Sequence, residues 1–232
     1  MKIISESLLN KNYKKFLSFV FNEEIEFIEV NNIKKFLDDL NTSKIKINLD
    51  KDLLIYTGGE DVNPNLYGEK NGRHTFVNEE RDLRCGLLFN YLPYKIKKLG
   101  ICRGAQYLTV RADGKLIQHV TNHTKNHFIE VMRGNNRFKS FDMTSTHHQM
   151  MYPFNLPEDD YKLIAWSKFF ESDTYLNGKN EEIELANNFI EPEIVYYPKI
   201  NGLAIQGHPE FEGVPQETLD FIRNIILDYL YV

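Results

Sequence analysis

The chain has 232 residues, 42% of them hydrophobic and 26% charged, and 28 Lys and Arg against 33 Asp and Glu give a formal charge of −5. That balance excludes wholesale disorder, a collagen-like or coiled-coil rod and a generic polyanion binder, because no basic excess draws the chain to a phosphate backbone. No apolar run reaches the roughly 18 residues a bilayer span needs, and Met1-Lys2-Ile3-Ile4-Ser5-Glu6 has no apolar signal core, so a soluble, cytoplasmic protein with no nucleic-acid or membrane partner is expected.

In chain order, Lys2 to Ser5 reads as a strand, Tyr13 to Phe21 as a helix, Glu24 to Val30 as a strand and Ile33 to Leu40 as a helix. Leu53 to Tyr56 is continuously apolar, as a strand buried on both faces requires, and it runs into Gly58-Gly59. A helix follows over Glu79 to Tyr91, closed by Pro93, and then a strand over Lys98 to Cys102 turns directly into a helix over Arg103 to Arg111. Beyond it, Phe128 to Met132, Lys162 to Ser167 and Gly202 to Gln206 read as strands, and Pro215 to Tyr231 as an amphipathic helix. Lys179 to Ile194 is acidic and mixed and fits either a hairpin or a loop. The alternation predicts an α/β fold with a doubly wound, mostly parallel sheet, whose chemistry sits in loops at the strand C-termini. With no repeat or linker, one domain over 1–232 is expected.

Gly100-Ile101-Cys102-Arg103-Gly104 lies where that strand turns into that helix. A Gly-x-nucleophile-x-Gly turn presents its central side chain, and its glycines let strand and helix approach closely. The partial positive charge of the helix N-terminus favours a thiolate there, and the backbone N–H groups are placed to receive an oxyanion. The bland alternative is a small buried thiol in a tight turn, which is also the reading of Cys85, inside a helix. Two cysteines are too few for a disulfide framework or a thiolate zinc site.

A cysteine hydrolase also needs a base and a group that orients it. His208 and Glu210, just past the strand Gly202 to Gln206, fit both roles, because residues two apart at a strand end point the same way. Alone, such a pair reads equally as a loop histidine and a solvated glutamate.

Four blocks then occur together. They are Gly58-Gly59-Glu60-Asp61-Val62-Asn63-Pro64 with Tyr67-Gly68-Glu69, Gly100 to Gln106, Ser145-Thr146-His147-His148-Gln149, and Gln206-Gly207-His208-Pro209-Glu210. In this order they resemble the class I glutamine amidotransferase-like hydrolases, in particular the peptidase C26 or γ-glutamyl hydrolase branch. The resemblance implies a flavodoxin-like fold with Cys102 as nucleophile, His208 as general base and then acid, and Glu210 as its orienting partner. It further implies an oxyanion hole from the backbone N–H groups of Gly59 and Arg103. Gln106, Ser145, Thr146 and His147 would contact the γ-glutamyl end of a small-molecule substrate, partly through backbone atoms. No cofactor or metal is implied.

On the leaving-group side, the pattern is similar to hydrolases of γ-glutamyl-CDP-amidate (CDP-L-glutamine), which yield cytidine diphosphoramidate for capsular phosphoramidate groups. Hydrolysis of γ-glutamyl-γ-aminobutyrate in polyamine breakdown is the alternative within the class, and a glutaminase subunit feeding a synthetase is another. Three departures bear on this side. Ala112-Asp113-Gly114 stands for the usual paired glycines, Thr144 for an Asn, and Gly207 for an aromatic residue before the catalytic histidine. A bare Gly207 is expected to leave room beside His208 for a larger leaving group.

His119, His123 and His127 recur every four residues, the spacing of one helix face. The residues between them are poor helix formers and no carboxylate or cysteine lies near, so a polar loop is the expected reading rather than a metal site. Arg73, His74 and Arg81 follow the Gly58-Gly59 loop, where they are either a solvated face or cations for an anionic leaving group.

Overall fold

The computed structural model describes residues 1–133 and 137–231. Among them, nine strands make one sheet: β1 (Lys2–Ser5), β2 (Glu26–Glu29), β3 (Leu53–Tyr56), β4 (Lys97–Ile101), β5 (His127–Arg133), β6 (Arg137–Met143), β7 (Lys162–Ser167), β8 (Pro192–Tyr197) and β9 (Gly202–Ile205). Their spatial order is β2-β1-β3-β4-β9-β8-β7-β5-β6. The run from β2 to β9 is parallel throughout, and its order is that of a flavodoxin-like sheet. From β9 outward the pairing is antiparallel, so the expected doubly wound half carries an antiparallel extension.

Side-chain alternation explains the layers. Ile3, Leu53, Ile55, Leu99 and Ile101 face one side, where they pack against α1 (Lys11–Phe21) and α5 (Gln216–Leu230) through Phe16, Leu17, Val20 and Phe221. Ile4, Leu54 and Tyr56 face the other, against α2 (Ile33–Asn41), α3 (Glu79–Tyr91) and α4 (Arg103–Arg111). Every residue of β3 is buried, which a parallel strand covered by helices on both faces requires. Asn10, Asn32 and Asn78 side chains cap the first three helices by accepting orphan N–H groups.

Several elements differ from expectation. β6 and β8 are strands beyond those expected, although Ile194-Val195-Tyr196-Tyr197 in β8 is a β-branched and aromatic run. β6 pairs at the sheet's edge, with Phe141 and Met143 in the core but Phe138 in solvent, so its sequence lacks a clean apolar face. The undecided stretch from Lys179 is largely loop before it enters β8 at Pro192. Just upstream, Tyr175–Leu176 pairs with His119–Val120, and Phe189 sits in a small third core with Ile117, Val120 and Met150. Lys115–Ile117 pairs with Met150–Tyr152. No helix among the described residues is long and apolar enough to cross a membrane.

Candidate active site

Cys102 occupies the N-cap of α4 with φ 51° and ψ −108°, a strained combination for a side-chain-bearing residue. Its N–H donates to the Ile205 carbonyl of β9 at 2.8 Å, and its own carbonyl accepts the Gln106 N–H at 3.1 Å. A Cβ on Gly104 would lie 2.0 Å from the Tyr56 carbonyl oxygen, and one on Gly100 would lie 2.3 Å from the Gly104 carbonyl oxygen. Strand and helix therefore meet closer than any side chain permits, which forces the elbow and presents the sulfur. The N–H of Arg103, in the first turn of α4, has no acceptor within the helix.

His208 follows β9 and is tied to the strip before His147 twice over: its N–H donates to the Thr144 carbonyl at 2.8 Å, and the Thr144 hydroxyl donates to its carbonyl. Nδ1 lies 2.8 Å from Glu210 Oε1. With Nδ1–H given to the carboxylate, the other ring nitrogen is left free for the neighbouring Cys102 side chain. Burial pulls the imidazole toward neutrality, but Cys102 and Glu210 outweigh it and raise His208 to about 10. Phe211 stacks on the ring at 4.2 Å between centroids. Tyr13 of α1 steadies the loop after β3: its hydroxyl accepts the Gly58 N–H at 2.9 Å. Nothing in the sequence singles out Tyr13, which reads as one more core aromatic of an amphipathic helix.

The loop after β3 runs beside this pair, since a Cβ at Gly58 would meet the His208 ring at 2.9 Å and Cys102 Cβ at 3.7 Å. Gly59 has φ +139°, and a Cβ there would sit 2.1 Å from Arg81 Nη1. Arg81 props the loop from beneath, its Nη2 donating to Glu6 Oε1 at 2.7 Å, the Thr57 carbonyl at 3.0 Å and the Gly58 carbonyl at 2.9 Å, and its Nη1 to Glu60 Oε2 at 2.8 Å. Arg81 is therefore a buried anchor and not a cation for a leaving group. The Arg103 guanidinium is likewise buried, on the Asp82 carboxylate and 3.1 Å from Cys85 Sγ, so only its backbone faces the chemistry. Burial pushes the Cys85 thiol up to about 11, as a packed thiol requires.

The substrate strip needs correction at the side chains. The Ser145 hydroxyl donates inward to the His123 carbonyl, and His147 is buried with Nδ1 2.8 Å from the Gln149 carbonyl. The side chains of these two hold the strip and leave only their backbones toward the cleft, while Thr146 is exposed. Gln106 donates Nε2 to the Gln149 carbonyl at 2.9 Å, which leaves its side-chain oxygen as an acceptor. The room expected at Gly207 is absent: a Cβ there would lie 2.3 Å from Met143 Cγ and 2.9 Å from the Thr144 carbonyl oxygen. The aromatic wall is supplied instead by Phe211.

The three spaced histidines do not share a helix. His119 stacks on His74 at 4.2 Å and lies 6.2 Å from the His148 ring. His148 Nε2 is 3.2 Å from Asp61 Oδ1, and Arg73 Nε donates to His74 Nε2 at 2.9 Å. These side chains form a polar rim between the Gly58–Asp61 loop and the strip, in which burial holds His119 toward neutrality. His123 and His127 instead point into the interior.

Comparison with known proteins bears on the family and the fold. A profile of the family described as Peptidase C26 matches residues 37–155. A glutamine amidotransferase-like protein of Rickettsia prowazekii is 38% identical over 81 residues, covering 34% of this chain and 28% of its own length. A candidate glutamine amidotransferase of Schizosaccharomyces pombe is 40% identical over 86 residues, 36% of this chain and 33% of its own. The chain thus matches about a third or less of either relative. A candidate component of the GMP synthase of Thermoplasma acidophilum shares the fold, with a TM-score of 0.55 at 19% identity over 97% of this chain and 92% of that one.

Proposed function

Because the chain belongs to the peptidase C26 family, we propose that it cleaves γ-glutamyl amide bonds through a thioester on Cys102. The observation that carries this reading is the hydrogen-bonded pair of His208 and Glu210 set beside Cys102 on a strained strand-to-helix turn, with the Gly58 backbone packed against both His208 and Cys102. In the first half-reaction the Cys102 sulfur attacks the γ-carbonyl carbon, and the oxyanion is received by the N–H groups of Gly59 and Arg103. The C–N bond breaks as His208 gives its proton to the departing nitrogen. In the second half-reaction His208 takes a proton from water, the hydroxide attacks the thioester, and glutamate leaves as the sulfur is restored.

For the leaving group, the leading reading is cytidine diphosphoramidate, released from γ-glutamyl-CDP-amidate for capsular phosphoramidate groups. The rim supports an anionic leaving group, because beside the strip it offers the Arg73 guanidinium and the His148 imidazole, which its pairing with Asp61 favours as a cation. The second reading is a glutaminase acting for a synthetase, which the names of both matched relatives favour.

Glutamate release from γ-glutamyl-CDP-amidate, γ-glutamyl-γ-aminobutyrate and free glutamine, with Cys102→Ala protein as control, tests both. Strong preference for the nucleotide is the expected result. Preference for the amino-acid conjugate places the enzyme in polyamine breakdown, and preference for free glutamine favours the synthetase-linked role. Equal activity in the Cys102→Ala protein overturns the mechanism.

A further inference from the structure

A second constellation lies beneath the strip and takes no part in the chemistry above. His123, His127, His147, Glu191 and Glu193 come from the turn before β5, from β5, from the strip and from β8, and each is at least nine-tenths buried. Glu193 Oε1 is their hub: His127 Nε2 lies 2.9 Å from it, His123 Nδ1 3.7 Å and His147 Nε2 3.7 Å.

The far nitrogens of two rings are hydrogen-bonded to carbonyls, His127 Nδ1 at 3.2 Å to Lys125 and His147 Nδ1 at 2.8 Å to Gln149, while His123 Nε2 lies 3.2 Å from Glu191 Oε1 without a formed hydrogen bond. A proton on each of these outer nitrogens leaves three lone pairs converging on a carboxylate oxygen, an arrangement of acceptors against acceptors. One extra proton, on His127, bridges only one of the three gaps. It leaves His123 Nδ1, His147 Nε2 and Glu193 Oε2 without hydrogen-bond partners in the interior, where each is costly to leave unmet. A cation held by Glu193 takes up the lone pairs that face it.

We propose that His123, His127 and Glu193 form a structural zinc site, which His147 Nε2, 3.7 Å from Glu193 Oε1, completes as fourth ligand when its ring shifts toward them. Imidazole nitrogens and a carboxylate suit Zn²⁺; the ligand atoms of the first three lie within 4.8 Å of one another, so binding draws them in to the roughly 3.3 Å that separates ligands held about 2.0–2.1 Å from a tetrahedral zinc. The outer-nitrogen partners are those that orient metal-bound histidines, with Glu191 in the carboxylate–histidine role and itself held by the Ser172 N–H and the Tyr175 hydroxyl. The ion braces the strip against β8, whose Glu193 carbonyl accepts the Gln206 N–H at 2.8 Å, two residues before His208.

The test uses the full chain, free of any histidine tag, in a Cys102→Ala background that removes the thiol as a competing ligand. After dialysis against chelator, zinc is titrated against a chromophoric chelator, bound metal is counted by elemental analysis, and melting is followed with and without zinc. One zinc per chain and a rise in melting temperature are expected, with affinity at least about tenfold lower in Glu193→Gln and in His123→Ala. X-ray absorption of the zinc-loaded, otherwise unaltered chain gives a readout that needs no variant at this site, and imidazole-rich N/O coordination is expected. Failure to bind zinc stoichiometrically, undiminished affinity in Glu193→Gln, or sulfur in the coordination shell overturns the proposal.

Discussion

His208 is held as a cation by its neighbours more strongly than burial opposes it, which puts its value at about 10 against roughly 6.5 in the unfolded chain. A raised value means that the protonated ring stabilises the fold fully below pH about 6.5 and that this contribution is lost as pH rises through about 10. The same proton serves the leaving nitrogen, so the basic limb of kcat/KM is expected near pH 10, and Glu210→Gln moves it down by about one unit or more. A pH–rate profile of both proteins checks this. Tyr13 holds the loop after β3 and touches no reacting atom, so it is a positioning residue. Tyr13→Phe removes the bond to the Gly58 N–H while keeping the ring in the core. We expect kcat to fall about tenfold, near 1.4 kcal/mol, with KM and melting temperature little changed; steady-state kinetics beside a thermal melt show whether the loss is confined to turnover.

The catalytic loop after β3 owes its shape to a neighbouring helix. Arg81 in α3 reaches under it to Glu6 at the end of β1, a pair with side chains 7% and 0% exposed. Buried ion pairs lose most when one partner goes and the other is stranded. Arg81→Met is therefore expected to destabilise the chain by about 3–5 kcal/mol in urea titrations, and Glu6→Gln with Arg81→Met by clearly less than the sum of the two singles. Because Arg81 also holds the Thr57 and Gly58 carbonyls, the single variant should lose activity even where it remains folded. The strip and the His208 loop show the same principle, tied by Thr144 through its carbonyl and its hydroxyl.

The two large cores lie on opposite faces of the same strands: Ile3 and Leu53 belong to one, Ile4 and Leu54 to the other. Neither can form without the sheet they share, so one cooperative unfolding transition is expected. The single tryptophan, Trp166, lies in β7 of the antiparallel extension and gives that half its own optical probe. Its fluorescence and the far-ultraviolet circular dichroism should share one denaturation midpoint. Separate midpoints would show that the extension folds independently of the parallel half.

Much of this architecture was legible in residue order. Leu53 to Tyr56, Glu79 to Tyr91, Arg103 to Arg111 and Lys162 to Ser167 form the elements expected at the expected bounds, because apolar periodicity and end signals are local properties of the chain. The turn at Cys102 was legible for the same reason, since two glycines flanking one reactive residue at a strand–helix junction leave few backbone solutions. What residue order could not reveal depends on distant partners. His119, His123 and His127 looked like one spaced set without a carboxylate, yet folding sends His119 to a surface rim and brings Glu193 from 66 residues away to His127. Gly207 looked like open space until Met143 filled it, and Arg81 looked like a surface cation until Glu6, 75 positions earlier, buried it. Periodicity and turn chemistry act between neighbours in the chain, whereas the surroundings of a side chain are set by which strands the sheet places side by side.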